Sequence, residues 1–313
     1  MIFICILMII IIFLMFILFI SEKVFERTNF YKNICDEFIN LKGAGKVDFV
    51  NTGSTFAFYG IDYEICGVKG LNLALKPQSI EQDFRMLKHY AERYNDGATI
   101  FIVVSDLAFA KKKYTDTQTI EKYYKVLNSK EIEKYNPIKS IRAKKIPVLY
   151  NWKNFLRFHW DVKRNVEYEL KVNENDKEGV DADAYKKCNS WMEEFSLLDL
   201  KTAFQAKQFL DEFSYTTDIV SKMISWCKEK GYQPVLVNLP VSAQMKRNFS
   251  EEFLDAFYFD NIRQSNKEDV PFIDLQKNEK LSDYLLYIDS CRLNKAGREI
   301  ITRLLLKEVE LIK

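Results

Sequence analysis

The sequence predicts one transmembrane helix followed by an α/β domain of three layers, α/β/α, built on a five-stranded parallel sheet. Three observations carry that prediction. The first twenty residues are apolar without exception. Short runs rich in Val, Ile, Leu and Phe then recur along the chain. Helical patterns separate most of these runs, and strands joined through helices pair in parallel. Composition excludes two other classes. The 313 residues include 46 Lys or Arg and 44 Asp or Glu, a formal net charge of +2. So nearly neutral a chain has no long-range field to attract nucleic acid, which is not an expected partner. With 48% apolar and 29% charged residues it can bury a core, which excludes disorder along its whole length.

Residues 1–20, MIFICILMIIIIFLMFILFI, contain no charge and no Pro. At 1.5 Å per residue they span ~30 Å, the depth of a bilayer's hydrocarbon core. A buried core helix is seldom apolar on every face. The following LFISEKVFE offers no small-x-small cleavage site, so the run reads as a signal anchor rather than a cleaved leader. Lys23, Arg27 and Lys32 come after it, and by the positive-inside rule alone they would place the body in the cytoplasm.

Residues 21–45 read as a juxtamembrane segment, and 46–313 as the α/β domain. Lys46–Asn51 is the first strand and ends in the turn Thr52-Gly53-Ser54. Gly70–Leu75 is the second. Ser79 with Gln82 forms a capping box that opens a helix. Its stripe is Ile80, Phe84, Leu87, Ala91 and Tyr94, and Asn95-Asp96-Gly97 is the expected stop. Ala98–Val104 is a strand buried on both faces. Residues 111–215 are Lys- and Tyr-rich with weak periodicity, and read as an insertion whose helices cap the sheet. Within it, Lys111-Lys112-Lys113 reads as a solvated face and Lys171–Asp183 as a polar loop. Tyr150, Trp152, Phe155 and Trp160 are either core aromatics or stacking platforms for sugar rings. Regular alternation then resumes, with a helix over Thr217–Lys230, a strand at Pro234–Leu239 and another at Val270–Asp274. Asn294 caps a last helix.

Six cysteines are present, and they are widely spaced. Cys227 reads as a core thiol. There is no C-x-x-C and no Cys/His cluster, so neither a metal nor a cofactor is expected.

Five such strands suggest a doubly wound, flavodoxin-like sheet, whose sites form beyond the carboxyl ends of its strands. That rule points to Gly53-Ser54-Thr55, the loop after Leu75, Ser105-Asp106, and the loop before Asn294. Read in order, these places carry a resemblance. Phe49-Val-Asn-Thr-Gly-Ser-Thr-Phe-Ala resembles the first block of the SGNH (GDSL-type) hydrolase superfamily, and Asp289-Ser-Cys-Arg292-Leu-Asn-Lys-Ala-Gly297 resembles its last. Asn72-Leu-Ala-Leu-Lys-Pro-Gln-Ser79 and Pro234-Val-Leu-Val-Asn-Leu-Pro240 are similar to blocks of its membrane-anchored branch. That branch includes the D-alanyl transfer protein of teichoic acid synthesis and proteins associated with surface polysaccharides.

The resemblance implies an extracytoplasmic body on a bacterial cell, a cell-surface glycan as ligand, and a multi-pass membrane O-acyltransferase as a neighbour. It places the nucleophile at Thr55, with Ser54 beside it, and the orienting acid at Asp289. Gly53, Asn72, Lys76, Gln78, Ser105, Asp106 and Arg292 become the cleft, oxyanion or ligand residues. The general-base position falls on Arg292, and a guanidinium stays protonated at any useful pH. Arg292 either forms an anion site with Lys76 or pairs with Asp289 or Asp106. The chain has two His. His89 is expected to face solvent, and His159 is either a cap residue over the site or a packed structural one. Two functions follow. One is a non-catalytic glycan-binding or assembly factor with a decayed site, a pseudoenzyme. The other is an active esterase or O-acyltransferase using Thr55 or Ser54 with an unidentified base.

Overall fold

A computed structural model describes residues 2–41, 45–111, 121–158 and 176–312. Its helices, in chain order, include α1 (Ile2–Glu26), α2 (Asn29–Asp36), α3 (Thr55–Gly60), α4 (Ile80–His89), α5 (Pro137–Lys145), α6 (Pro147–Tyr150), α7 (Trp152–Leu156), α8 (Lys177–Phe195) and α9 (Leu210–Glu229); a C-terminal helix runs over Lys295–Ile312. The strands are β1 (Val47–Asn51), β2 (Gly70–Asn72), β3 (Tyr94–Val103), β4 (Gln233–Asn238) and β5 (Phe272–Asp274). The chain divides into two compact units, residues 1–39 with 115–165, and residues 40–114 with 166–313. The boundary falls inside the segment read as one insertion.

In the first unit α1 is long and apolar enough to cross a membrane, and none of the described residues buries its apolar stretch. Thr28 caps α2, its hydroxyl accepting from Tyr31 N at 3.1 Å. Pro137 and Pro147 open α5 and α6, where a missing N–H costs no helical bond. Phe25, fully buried, packs on Tyr31 and Phe155 with ring centroids 5.5 and 6.1 Å apart.

The second unit holds the sheet. All five strands are parallel, in the order β2-β1-β3-β4-β5. The period of two sorts their side chains. Phe101, Val103, Val235, Val237 and Ile273 share a core with Ala57 and Phe58 of α3 and with Ile301, Leu305 and Val309 of the C-terminal helix. Ile100, Ile102 and Leu236 alternate with them and are equally buried, as are Met86, Leu87, Val220, Met223 and Ile224 of α4 and α9. Cys227 is a core thiol as expected, and burial pushes it up to about 12.

Several boundaries differ from the sequence reading, each for a local reason. The second strand stops at Asn72, because Asn72 Oδ1 accepts from Ala74 N at 3.0 Å and turns the chain off the sheet edge. Asn95-Asp96-Gly97 lies inside β3 rather than ending a helix. Gly97 has φ +73°, and the β1–β3 register shifts between Val47 and Phe49, the marks of a bulge. Helix α9 starts at Leu210, not Thr217. The hydroxyls of Thr216 and Thr217 bond back to the carbonyls of Glu212 and Phe213 at 2.7 Å, so buried polar residues hid the helical stripe. Lys177–Asp183, expected in a polar loop, begins α8, which buries Val180, Ala184 and Cys188 at every fourth position. His89 is half-buried rather than solvent-facing, with its ring 4.8 Å from that of Tyr90.

Candidate functional site

The site begins where β1 gives way to α3. The chain turns at Gly53, whose φ of +122° only glycine adopts readily. A Cβ there would lie 2.7 Å from the Ala57 Cβ and 3.1 Å from the Val103 Cβ. Two side chains hold the turn. Asp83 of α4 accepts from Gly53 N at 2.8 Å. Gln78 donates its amide to Gly53 O at 3.1 Å and to Asp83 Oδ1 at 2.6 Å, and its backbone N–H to Ser54 Oγ at 2.9 Å. Ser54 and Thr55 are thus presented at the start of α3, half-buried. Among the described residues, no side chain accepts a hydrogen bond from either hydroxyl.

Asp83 is buried, and burial pushes its carboxyl up to about 7 against the opposing pull of Gln78, Gly53 N–H and Lys111. At the end of β3, Asp106 receives the Gln276 amide at 3.1 and 3.0 Å on its two oxygens. Burial, with Asp274 nearby, raises Asp106 to about 6. Both folded values lie above the unfolded carboxylate's ~3.9. The unfolded chain therefore releases these protons first as pH rises. The stability they contribute is full below about pH 4 and falls away up to about pH 7. Asp83→Asn should flatten that fall, because the amide oxygen can still accept from Gly53 N without a buried charge. Thermal unfolding across pH 4.5–7.5 checks this; an unchanged slope would remove Asp83 as its source.

Helix α8 closes the site against the loop at 289–292. Lys187 bridges Asp183 at 2.9 Å and Asp289 at 2.7 Å. The Arg292 Nε donates to Asp289 Oδ2 at 2.5 Å. Cys291 N and Arg292 N both donate to Asp289 Oδ1, at 3.0 and 2.8 Å. Burial alone would raise the Asp289 carboxyl; Lys187, Arg292 and these N–H groups outweigh it and hold it down to about 2. Ser290 N–H donates to Asp183 at 3.0 Å. Trp191, one turn beyond Lys187, packs between Phe56 and Phe249, with centroids 6.3 and 6.5 Å away.

These elements enclose a cavity of about 630 Å³ at the carboxyl edge of the sheet. Six residues expected at the site line it: Ser54, Thr55, Gln78, Ser105, Asp106 and Arg292. Others do not. Asn72 lies behind α3, donating to Ala57 O and Ile61 O at 2.9 and 3.0 Å and so pinning that helix from below. Lys76 donates to Tyr59 OH at 2.8 Å and lies on the Phe58 ring at 4.4 Å instead of entering the cavity. The same Tyr59 ring has its centroid 5.1 Å from Arg292 Cζ. Gly53 has given its N–H to Asp83, which removes it from oxyanion duty. Asp289 stands behind Arg292 and Lys187, and Arg292 pairs with it rather than with Asp106. Lys111 lines the cavity half-buried instead of lying on a solvated face, and Lys112 and Lys113 lie outside the described residues. Tyr150, Trp152 and Phe155 belong to the first unit. His159 and Trp160 lie outside the described residues. Cys291 is buried, and burial raises its thiol to about 12, far from a thiolate nucleophile.

Four residues of the site went unread in the sequence: Asp83, Lys187, Trp191 and Glu194, all on the cavity wall. A signal existed for each. Asp83 stands three residues after Ile80 and four before Leu87, on the inner stripe of its helix. Asp183, Lys187, Trp191 and Glu194 follow helical spacing and share one face of α8.

No family model matches the chain, and no curated protein is similar enough to show a shared family.

Proposed function

We propose that this is a membrane-tethered, SGNH-like protein of cell-surface polysaccharide or teichoic acid modification that binds glycan in the cleft without hydrolase chemistry. The observation that supports the reading best is Arg292, clasped to Asp289 where such an enzyme needs its base. A hydroxyl nucleophile requires a neighbour that takes its proton. A guanidinium held by a carboxylate cannot, and Lys187 pairs with the same carboxylate at 2.7 Å. What remains is a cavity with polar groups along the sheet edge and an aromatic wall of Trp191, Phe56 and Phe249, an arrangement suited to a sugar ring. Helix α1 supplies the tether. The body is extracytoplasmic in this reading, beside a multi-pass O-acyltransferase, as the motif resemblance implies and against the pull of Lys23, Arg27 and Lys32.

Titration of the full chain in detergent with purified teichoic acid and surface polysaccharide, followed by tryptophan fluorescence, tests the binding role. Saturable binding is expected, and Trp191→Ala should weaken it roughly tenfold, ~1.4 kcal/mol. Absence of binding to either polymer would remove the glycan reading.

A further inference from the structure

We propose that Pro137–Phe158, in the first unit, is a membrane-surface element that binds anionic phospholipid beside the foot of α1. The inference rests on the reading of α1 as a membrane span. Two contacts fix its level. Val148 N donates to Glu22 Oε2 at 3.0 Å, and the Phe155 ring packs on Phe25 at 6.1 Å. Glu22 and Phe25 stand two and five residues past Ile20, where the apolar run ends. That is ~3 to ~8 Å along the helix axis, the depth of the headgroup layer.

The segment is built for such a layer. Helix α5 turns Ser140 and Ala143 inward and leaves Ile138 and Ile141 exposed at 68% and 56%. That inverts the pattern of a helix on a water-facing surface. Helix α6 buries Val148 and exposes Leu149; α7 exposes Trp152 and Leu156, one turn apart. Interleaved with them, Lys144, Lys145, Lys153 and Arg157 are exposed as well. Residues 137–158 include no Asp or Glu. Apolar side chains with a Trp, set among cations and lacking acids, are what an interfacial helix presents to a negatively charged bilayer. A protein partner would have to match the same unbroken positive charge, and nothing ties such a partner to the level of Glu22 and Phe25.

The test uses the full chain in vesicles of phosphatidylcholine, with or without phosphatidylglycerol, whose acyl chains are brominated near the headgroup. Wild type should show a quenched tryptophan component that Trp152→Phe lacks. That component should grow with phosphatidylglycerol and shrink in Lys144→Glu/Lys145→Glu/Lys153→Glu, by about fivefold in partitioning for each cation lost. Equal quenching of wild type and Trp152→Phe overturns the proposal. So does quenching indifferent to both phosphatidylglycerol and the charge reversals, or quenching lost as copies of the chain associate at high protein density. Alkaline carbonate extraction separates the two readings: a chain washed from the vesicles fails as a tether, whereas one that stays while Trp152 is unquenched fails only the surface contact.

Discussion

Lys187→Met is expected to lower the thermal unfolding midpoint by roughly 4–8 °C at neutral pH. The methionine keeps the length of the stem and removes the charge between Asp183 and Asp289. Breaking a buried pair from one side costs ~3–5 kcal/mol, since the remaining charge is left desolvated. Here the Lys187 and Asp289 side chains keep 24% and 11% exposure, so screening trims this to ~2 kcal/mol. For a domain of this size each kcal/mol moves the midpoint by ~2–4 °C. The acid limb should change too. Asp289 is held at about 2, below its unfolded value, so its contribution is present above about pH 4 and is lost as pH falls through about 2. Without Lys187 the folded value rises, and that loss begins at higher pH. Asp289→Asn in the same chain should recover part of the midpoint. An unshifted midpoint in Lys187→Met would mean that α8 is held by Trp191 and Cys188 packing alone.

Gly53→Ala should cost more, roughly 3 kcal/mol. Two penalties combine. The backbone at φ +122° is strained for any side chain, and the new methyl would overlap the Ala57 Cβ, 2.7 Å away. Ala57 is fully buried at the start of α3 and cannot retreat without lifting that helix off the sheet. Ser54 and its bond from Gln78 N would move with it. Equilibrium unfolding measures the loss; a change within about 0.5 kcal/mol would mean that the turn has another conformation open to it.

The parallel sheet was legible because β4 and residues 98–103 of β3 are almost wholly buried, and strands buried on both faces read as continuous apolar runs. The edges were not. The end of β2 depends on Asn72 bonding to Ala74, and the start of β3 on a bulge at Gly97, neither of which leaves a hydrophobic period. Much of the cleft was legible as well, since Ser54, Thr55, Ser105 and Asp106 sit where strands end. Helix α8 escaped notice because its buried stripe consists of small or mixed residues, Val180, Ala184 and Cys188. With the helix went Lys187 and Trp191. Asp83 was overlooked for a different reason: an acid in a first helical turn is ordinary, and only tertiary packing shows this one to be buried beneath Gly53. The sequence also placed Lys76 at the cleft, yet its ammonium is engaged by Tyr59 OH and the Phe58 ring and does not line the cavity.

In the proposed function the cleft binds glycan without nucleophilic chemistry. The most direct test is covalent labelling of the full chain by a fluorophosphonate serine-hydrolase probe, read by peptide mass spectrometry. No adduct is expected at Ser54 or Thr55 in the wild type, and Thr55→Ser with Arg292→His should create one. An adduct on either hydroxyl of the wild-type chain would overturn the non-catalytic reading and establish that another group serves as base.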